Sequence, residues 1–304
     1  MAAISEITCK SAITWHSNKG YVLQSLRGIR SWQSLKYLLS TLWKSGVARA
    51  SAKSYSVNPY AGCTHGCTYC YVEFQKGIRH SGERWGDFVD AKLNIADVLT
   101  EQIKNIPRGE VFVASVADAY QPVEAKYKLT RQVIEILLSE GFGVTVLTKS
   151  ALVTRDIDIL KHPRCKVGIT VTVPDDEISC KLEPGCSSTS QRLAALHKLH
   201  DSGVSTWGYI APTIPTFTDE GDNIERLIGE LAKCQVAFVA SDTFNPFPSS
   251  WLRFRDFLKH EYPERMEAIK EAILLDRSFF TTTQERIKKA CEANRLVYRF
   301  GSVA

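Results

Sequence analysis

The stretch NPYAGCTHGCTYCYVEF, residues 58–74, places three cysteines within eight positions: Cys63, Cys67 and Cys70. Thiolates are soft ligands that suit zinc and iron–sulfur clusters. A C-x3-C-x2-C loop can wrap one corner of a cubane and ligate three of its irons. Gly62 and Gly66 ease the tight turns this requires. The fourth iron then stays open to a small molecule that binds through an amine and a carboxylate. The other reading is a zinc knuckle completed by His65 or a distant cysteine. His65 lies between Cys63 and Cys67, a cramped position for binding the same ion.

The elements that must hold this loop recur in a regular beat. A first strand is expected to end at Tyr60, with a helix over 94–106. Strands over 110–117, 143–149, 165–173, 204–211 and 236–242 follow, with helices over 129–140, 153–161, 188–202 and 221–233 between them. Apolar β-branched runs alternating with helical periods predict βα units around a parallel sheet. Pro246 and Pro248 then break the rhythm, and helices over 250–260, 263–275 and 284–294 precede a short strand over 296–300. The fold class is α/β: a partial (β/α)6 barrel over 51–244, a basic N-terminal extension over 1–50 packed on the core, and a helical C-terminal region over 245–304. In such sheets function gathers at the carboxyl ends of the strands. The cysteine loop, Asp118, Gln121, Lys149 and the 211–218 loop all fall there.

Charge is unevenly distributed. Residues 1–50 carry Lys10, Lys19, Arg27, Arg30, Lys36, Lys44 and Arg49 against Glu6, a net +6, whereas the remainder carries a net −1. Such asymmetry marks either contact with a polyanion or a solvated basic face. Trp15, Trp32 and Trp43, with Leu35, Leu38, Leu39 and Leu42, predict a packed amphipathic helix over 31–44, so the segment reads as structural and not as a cleaved leader. There is no run of 18 apolar residues to span a membrane. Nine cysteines, three clustered and six scattered, do not form the pattern of a secreted disulfide scaffold, and a reducing cytoplasm with a metal site fits better.

Five stretches occur in order between Ser56 and Pro215: "NPYAGCTHGCTYCY", "ADAYQP", "VLTKSALVTRDIDIL", "KLEPGCSSTSQRLAAL" and "GYIAPTIP". Together they resemble the radical SAM superfamily and, more narrowly, its spore photoproduct lyase-like branch. "CKSAI" (9–13) resembles a short N-terminal motif of bacterial relatives.

The resemblance implies a 4Fe–4S cluster on Cys63, Cys67 and Cys70, with S-adenosylmethionine (SAM) chelating the fourth iron. An electron donor such as flavodoxin or ferredoxin would drive cleavage of the S–C5′ bond, and the 5′-deoxyadenosyl radical would abstract hydrogen from a substrate. It implies that Asp118 lies by the methionyl amine, that Lys149 pairs with the SAM carboxylate, and that Thr170 contacts it from the next strand. Ile210, Ala211 and Pro212 match the segment beside the adenine, and Glu183 and Arg192 match an "EP…R" pattern that shapes the site. Tyr69 and Tyr71 match two tyrosines that take part in hydrogen return. One departure matters. The lyase's hydrogen-donating cysteine is replaced here by the thiol-free stretch Ser115, Val116 and Ala117. The radical-initiating half is therefore expected intact and the terminating half only in part. Cys186 is the candidate replacement donor; the other scattered cysteines read as core or loop thiols.

Three functions compete. The first is a radical SAM enzyme acting on a nucleic acid base or lesion, supported by the lyase-like core and the basic N-terminus. A base must leave its stack to reach a buried radical, so Trp15, Trp32, Trp43 and the tail residues Arg295, Tyr298 and Arg299 could serve it. The second acts on a peptide or small metabolite. The third is a non-catalytic Fe–S or zinc protein, against which Asp118, Lys149 and Thr170 argue, since a structural metal needs no SAM pocket.

Overall fold

Residues 2–16, 54–72, 80–276 and 278–300 are described in a computed structural model of the chain. Eleven strands are present among them. β1 (Ala3–Ile7), β4 (Tyr60–Ala61) and β5 (Phe88–Lys92) form a small sheet in the order β1-β5-β4. The main sheet contains β2 (Ile13–His16), β3 (Ser54–Val57), β6 (Glu110–Val113), β7 (Gly143–Thr148), β8 (Cys165–Val171), β9 (Ser205–Thr213), β10 (Val239–Thr243) and β11 (Tyr298–Phe300). Its order is β11-β10-β9-β8-β7-β6-β3-β2, and every pairing is parallel except β2 with β3.

The expected βα run is present as β3 and β6 to β10. The central strands read as near-continuous apolar runs because both faces are covered. Val144, Val146, Val167 and Ile169 are all fully buried. The covering helices include α1 (Ile95–Ile103), α2 (Glu124–Tyr127), α3 (Leu129–Ser139), α4 (Ile157–Leu160), α5 (Asp176–Leu182), α6 (Thr189–Asp201) and α7 (Asn223–Lys233). In α7, Ile224, Leu227, Ile228 and Leu231 recur at i, i+3, i+4 and i+7 and are buried as one stripe. Ser188 starts α6 with a reciprocal capping box to Gln191, which fixes the loop leading into it.

The C-terminal part consists of α8 (Pro248–Glu261), α9 (Met266–Lys270) and α10 (Ser278–Ala293). Phe244, Phe254, Leu258, Ile269, Ile273 and Phe280 form a second core that also takes in Cys67, Tyr69, Leu182 and Phe217. The C-terminal helices thus pack directly against the cysteine loop.

Three readings are corrected. The first strand leaves the main ladder at Val57, not Tyr60, because Pro59 has no N–H to donate; Tyr60 and Ala61 pair instead with β5. The region expected as one helix over 263–275 is a 3-10 turn, a short helix and a π turn. Trp15, expected to pack, is 61% exposed in β2. The predicted helix over 31–44 and most of the basic N-terminal charges lie outside the described residues.

Candidate functional site

The carboxyl ends of the parallel strands surround a cavity of about 400 Å³. It brings together Cys63, Cys67, Cys70, Tyr69 and Tyr71 from the cysteine loop, Asp118 from beyond β6, Lys149 at the end of β7, Thr170 of β8, and Ala211 and Pro212 of β9. Two predicted residues lie elsewhere. Ile210 is fully buried in the main core. Cys186 is off the cavity wall, with its Sγ 3.8 Å from that of Cys67.

The cysteine loop is gripped from four sides. Gln121, fully buried, accepts the Thr64 N–H at 2.9 Å and donates to the Gly62 carbonyl at 3.2 Å. The Thr68 N–H donates to the Leu182 carbonyl at 2.9 Å, and the Gly185 N–H to that of His65 at 2.9 Å. A Cβ at Gly185 would stand 2.3 Å from the Thr64 carbonyl oxygen, so only glycine permits that crossing. At Gly62, φ is +84° and a Cβ would meet Phe88 of β5, so the small sheet forms the third support. From α8, Arg253 donates to the carbonyls of Thr68 at 3.1 Å, Cys70 at 2.7 Å and Cys67 at 3.4 Å.

Asp118 is a knot in the opposite wall. Its Oδ1 accepts from the Thr148 hydroxyl at 2.5 Å and the Tyr120 N–H at 2.8 Å; Oδ2 accepts the Lys149 N–H at 2.8 Å and lies 3.4 Å from His65 Nδ1. Burial alone would raise its pKa, but His65, Thr148 and the Lys149 amide together hold the carboxyl well below the usual range. Lys149 is half-buried, and desolvation disfavours its charge, yet Cys67, Glu183 and Cys186 outweigh this and raise its pKa.

A buried pair supports both walls. Glu183 accepts from Arg192, from the Tyr69 hydroxyl, and from Thr172 at 2.8 Å. Arg192, fully buried, also donates to the carbonyls of Ser187 at 2.7 Å and Thr170 at 3.1 Å. The "EP…R" residues therefore hold Tyr69 and Thr170 without reaching the cavity.

The thiols differ electrostatically. The Cys186 contact, opposed by burial and aided by Lys149, lowers the Cys67 pKa to about 7. Burial and the neighbouring Cys67 push Cys70 up to about 11. Burial, Asp118 and Cys67 raise Cys63 well above its ordinary value.

A profile described as the Radical SAM superfamily matches residues 57–228, more than half of the chain. The chain belongs to the radical SAM superfamily. Uncharacterized relatives include a protein of Methanocaldococcus jannaschii, 33% identical over 224 residues, which span 73% of this radical SAM chain and 82% of that one. Another, from Mycobacterium tuberculosis, is 28% identical over 76% of this chain and 71% of its own. Among solved structures, spore photoproduct lyase complexed with dinucleoside spore photoproduct aligns with a TM-score of 0.63 at 16% identity, covering 83% of this chain and 78% of that one. Streptococcus suis SuiB bound to precursor peptide SuiA aligns with a TM-score of 0.54 at 11% identity, covering 93% and 60%. These likenesses show the fold.

The donor set fits a radical SAM cluster better than a single ion. Three thiols share one wall, yet among the described residues no three Cys, His, Asp or Glu side chains are gathered closely enough to hold one metal ion. A cubane spreads its three thiolates over separate irons. His65 supports a ligand on the same wall: it lines the cavity, and its Nε2 is buried with no hydrogen-bond partner among the described residues.

Sequence reasoning did not single out Arg253, Tyr209 or Asp242. Asp242 had a usable signal, an acid closing an apolar strand at its carboxyl end. Arg253 is one of several basic residues on its helix, and nothing local marks it.

Proposed function

We propose that this chain is a radical SAM enzyme that holds a 4Fe–4S cluster on Cys63, Cys67 and Cys70 and SAM in the adjoining cavity, with a nucleic acid base as substrate. The observation that carries the reading is that one cavity joins all three thiols to Asp118, Lys149 and Thr170 at successive strand ends. Together the two groups supply reductive S–C5′ cleavage and a 5′-deoxyadenosyl radical that abstracts hydrogen from substrate.

The chain's own residues bind and orient. Lys149 keeps its proton and offers a cation to a carboxylate. Asp118 has its acceptor positions filled by the wall, so it meets an ammonium as a fixed negative charge. Ala211 and Pro212 offer an apolar surface to a flat ring. Tyr69 is tied to Glu183, which makes it a positioning residue; Tyr71, on the cavity rim and 44% exposed, is the better placed of the two for hydrogen return. The base assignment is supported by the lyase-like fold and by the +6 charge of residues 1–50. An external reductant of the flavodoxin or ferredoxin kind would deliver the electron. All nine cysteines are free, which suits a reducing cytoplasm. Among the described residues no helix is long and apolar enough to cross a membrane.

Anaerobic reconstitution tests the reading. About four irons per chain and a broad charge-transfer band are expected, followed by release of 5′-deoxyadenosine when dithionite and SAM are added. Stoichiometric zinc without iron uptake would overturn it.

A further inference from the structure

The cavity has a second polar wall, opposite in character to the first. It is built by β9 and β10, on the far side of β7 and β8 from Asp118. Asp242 lines the cavity there. Its Oδ1 accepts the Thr243 N–H at 2.8 Å, and Oδ2 has only a long contact, 3.4 Å, from the Tyr209 hydroxyl. Among the described residues no Lys, Arg or His forms an ion pair with it. The ladder is irregular at this point. Ser241 pairs with Ile210 and Thr243 with Thr213, so Ala211 and Pro212 together oppose the single residue Asp242. A bulge of this kind takes a residue out of regular pairing and re-aims its side chain. At the rim, Tyr71 stacks on Phe247 with centroids 6.3 Å apart and planes 22° from parallel; both are over 40% exposed.

A half-buried carboxylate without a cation is costly unless something supplies hydrogen. The cavity's lysine is not its partner: Lys149 stands at the end of β7 on the opposite wall, and the proposed function commits its ammonium to the SAM carboxylate. We propose that Asp242 and Tyr209 form the substrate subsite, and that the group they receive is a planar N–H donor, cationic or strongly polarised: an amidine, a guanidine or an amino-substituted heterocycle. This deepens the proposed function and rests on it for the identity of the neighbouring SAM site. It also sets a direction of entry. A phosphate or carboxylate would be repelled by Asp242, so a nucleotide would enter base first with its phosphates outside. Burial raises the Asp242 pKa, in keeping with a carboxyl that lacks a counter-charge.

The probe is benzamidine, with neutral benzamide of nearly the same shape as its control. Both are titrated calorimetrically into the SAM-loaded, unreduced holoenzyme. Benzamidine is expected to bind at least tenfold more tightly than benzamide. Asp242→Asn and Asp242→Ser should both reduce that preference to within about twofold, and Tyr209→Phe should reduce it partly. SAM affinity should not change in any of the three. Equal binding of the two probes, or a preference that survives in both Asp242 variants, overturns the proposal. So does a loss of SAM affinity in Asp242→Asn as large as in Lys149→Ala, which would place Asp242 in the cofactor site. The titration requires no SAM cleavage and can be repeated without iron or SAM. A protein that takes up no iron but still discriminates the probes through Asp242 would lose the proposed function and keep the subsite; one that cleaves SAM without discriminating would do the reverse.

Discussion

Two walls of one cavity are built on opposite plans. On the wall of β6 to β8, nearly every polar group is committed to another protein group: Asp118 to four donors, Glu183 to Arg192, Tyr69 and Thr172, and the cysteine loop to Gln121, Leu182, Gly185 and Arg253. On the wall of β9 and β10, Asp242 keeps a bond from the Thr243 N–H, one long hydrogen bond from Tyr209 and, among the described residues, no counter-charge. A wall whose groups are fixed by one another presents the Lys149 ammonium and His65 Nε2 in a set geometry, which suits a constant ligand. A wall left short of donors derives specificity from what arrives, since the wrong ligand leaves a buried acceptor unpaired. The first plan suits a cofactor common to a superfamily, and the second a substrate particular to one member.

The largest expected effect tests whether the first wall holds a cluster. Cys67→Ala should abolish stoichiometric iron uptake, whereas Cys234→Ala, at a thiol buried far off in the main core, should leave iron content and spectrum intact. Equal iron in both proteins would remove the cysteine loop from the site.

Next is the pair that braces the wall from behind. Arg192→Ala leaves the Glu183 carboxylate buried without its cation, and breaking a buried ion pair costs about 3–5 kcal/mol. Equilibrium urea unfolding reads this directly. A loss below about 1 kcal/mol would mean that Tyr69 and Thr172 suffice to hold Glu183 and that the brace is dispensable.

These two sites also differ in how much of them a sequence reveals. The three cysteines fall within eight residues, so local spacing exposes the ligand set, and Lys149 is marked by the end of an apolar strand. The βα beat is legible for the same reason: each strand and helix carries its own periodicity. Contacts between distant parts of the chain are not legible. Arg253 reaches carbonyls more than 180 residues away, and its own helix gives no hint of them. β1 pairs with β5 across some 85 residues, and FVDAK, buried at four of its five positions, shows no alternation that would mark a strand. Glu183 and Arg192 could be named from the "EP…R" stretch, but their partners Tyr69 and Thr172 come together only in three dimensions.

A smaller effect tests the cationic anchor. Lys149→Ala should weaken SAM binding by about 1.5–3 kcal/mol, the scale of a hydrogen bond to a charged group. Equilibrium dialysis with labelled SAM on the unreduced holoenzyme measures it. Unchanged affinity would assign the carboxylate of SAM to another residue. Because Lys149 also stands 5.9 Å from the Tyr69 ring, the same variant should be checked for an unaltered melting curve before the loss is assigned to binding.

The smallest effect sets the two walls against each other through pH. Asp118 has a depressed pKa, so its charged form stabilises the fold above the ordinary carboxylate pKa near 4, and that stability is lost as pH falls below it. Asp242 has a raised pKa, so the sign reverses: the fold pays no penalty while the carboxyl is protonated and loses stability as pH rises from about 4 through the raised value. Asp118→Asn should therefore be destabilised at neutral pH and keep most of that deficit down to pH 3.5, because the native carboxyl stays ionised well below that pH. Asp242→Asn should be slightly more stable than the parent at neutral pH and, unlike Asp118→Asn, converge on it by about pH 3.5. Melting temperatures of the three iron-free proteins between pH 3.5 and 8 decide this. If Asp242→Asn is destabilised at neutral pH, its carboxylate is already paired in the folded protein, and the two walls do not differ in the way that makes one a receptor for the substrate.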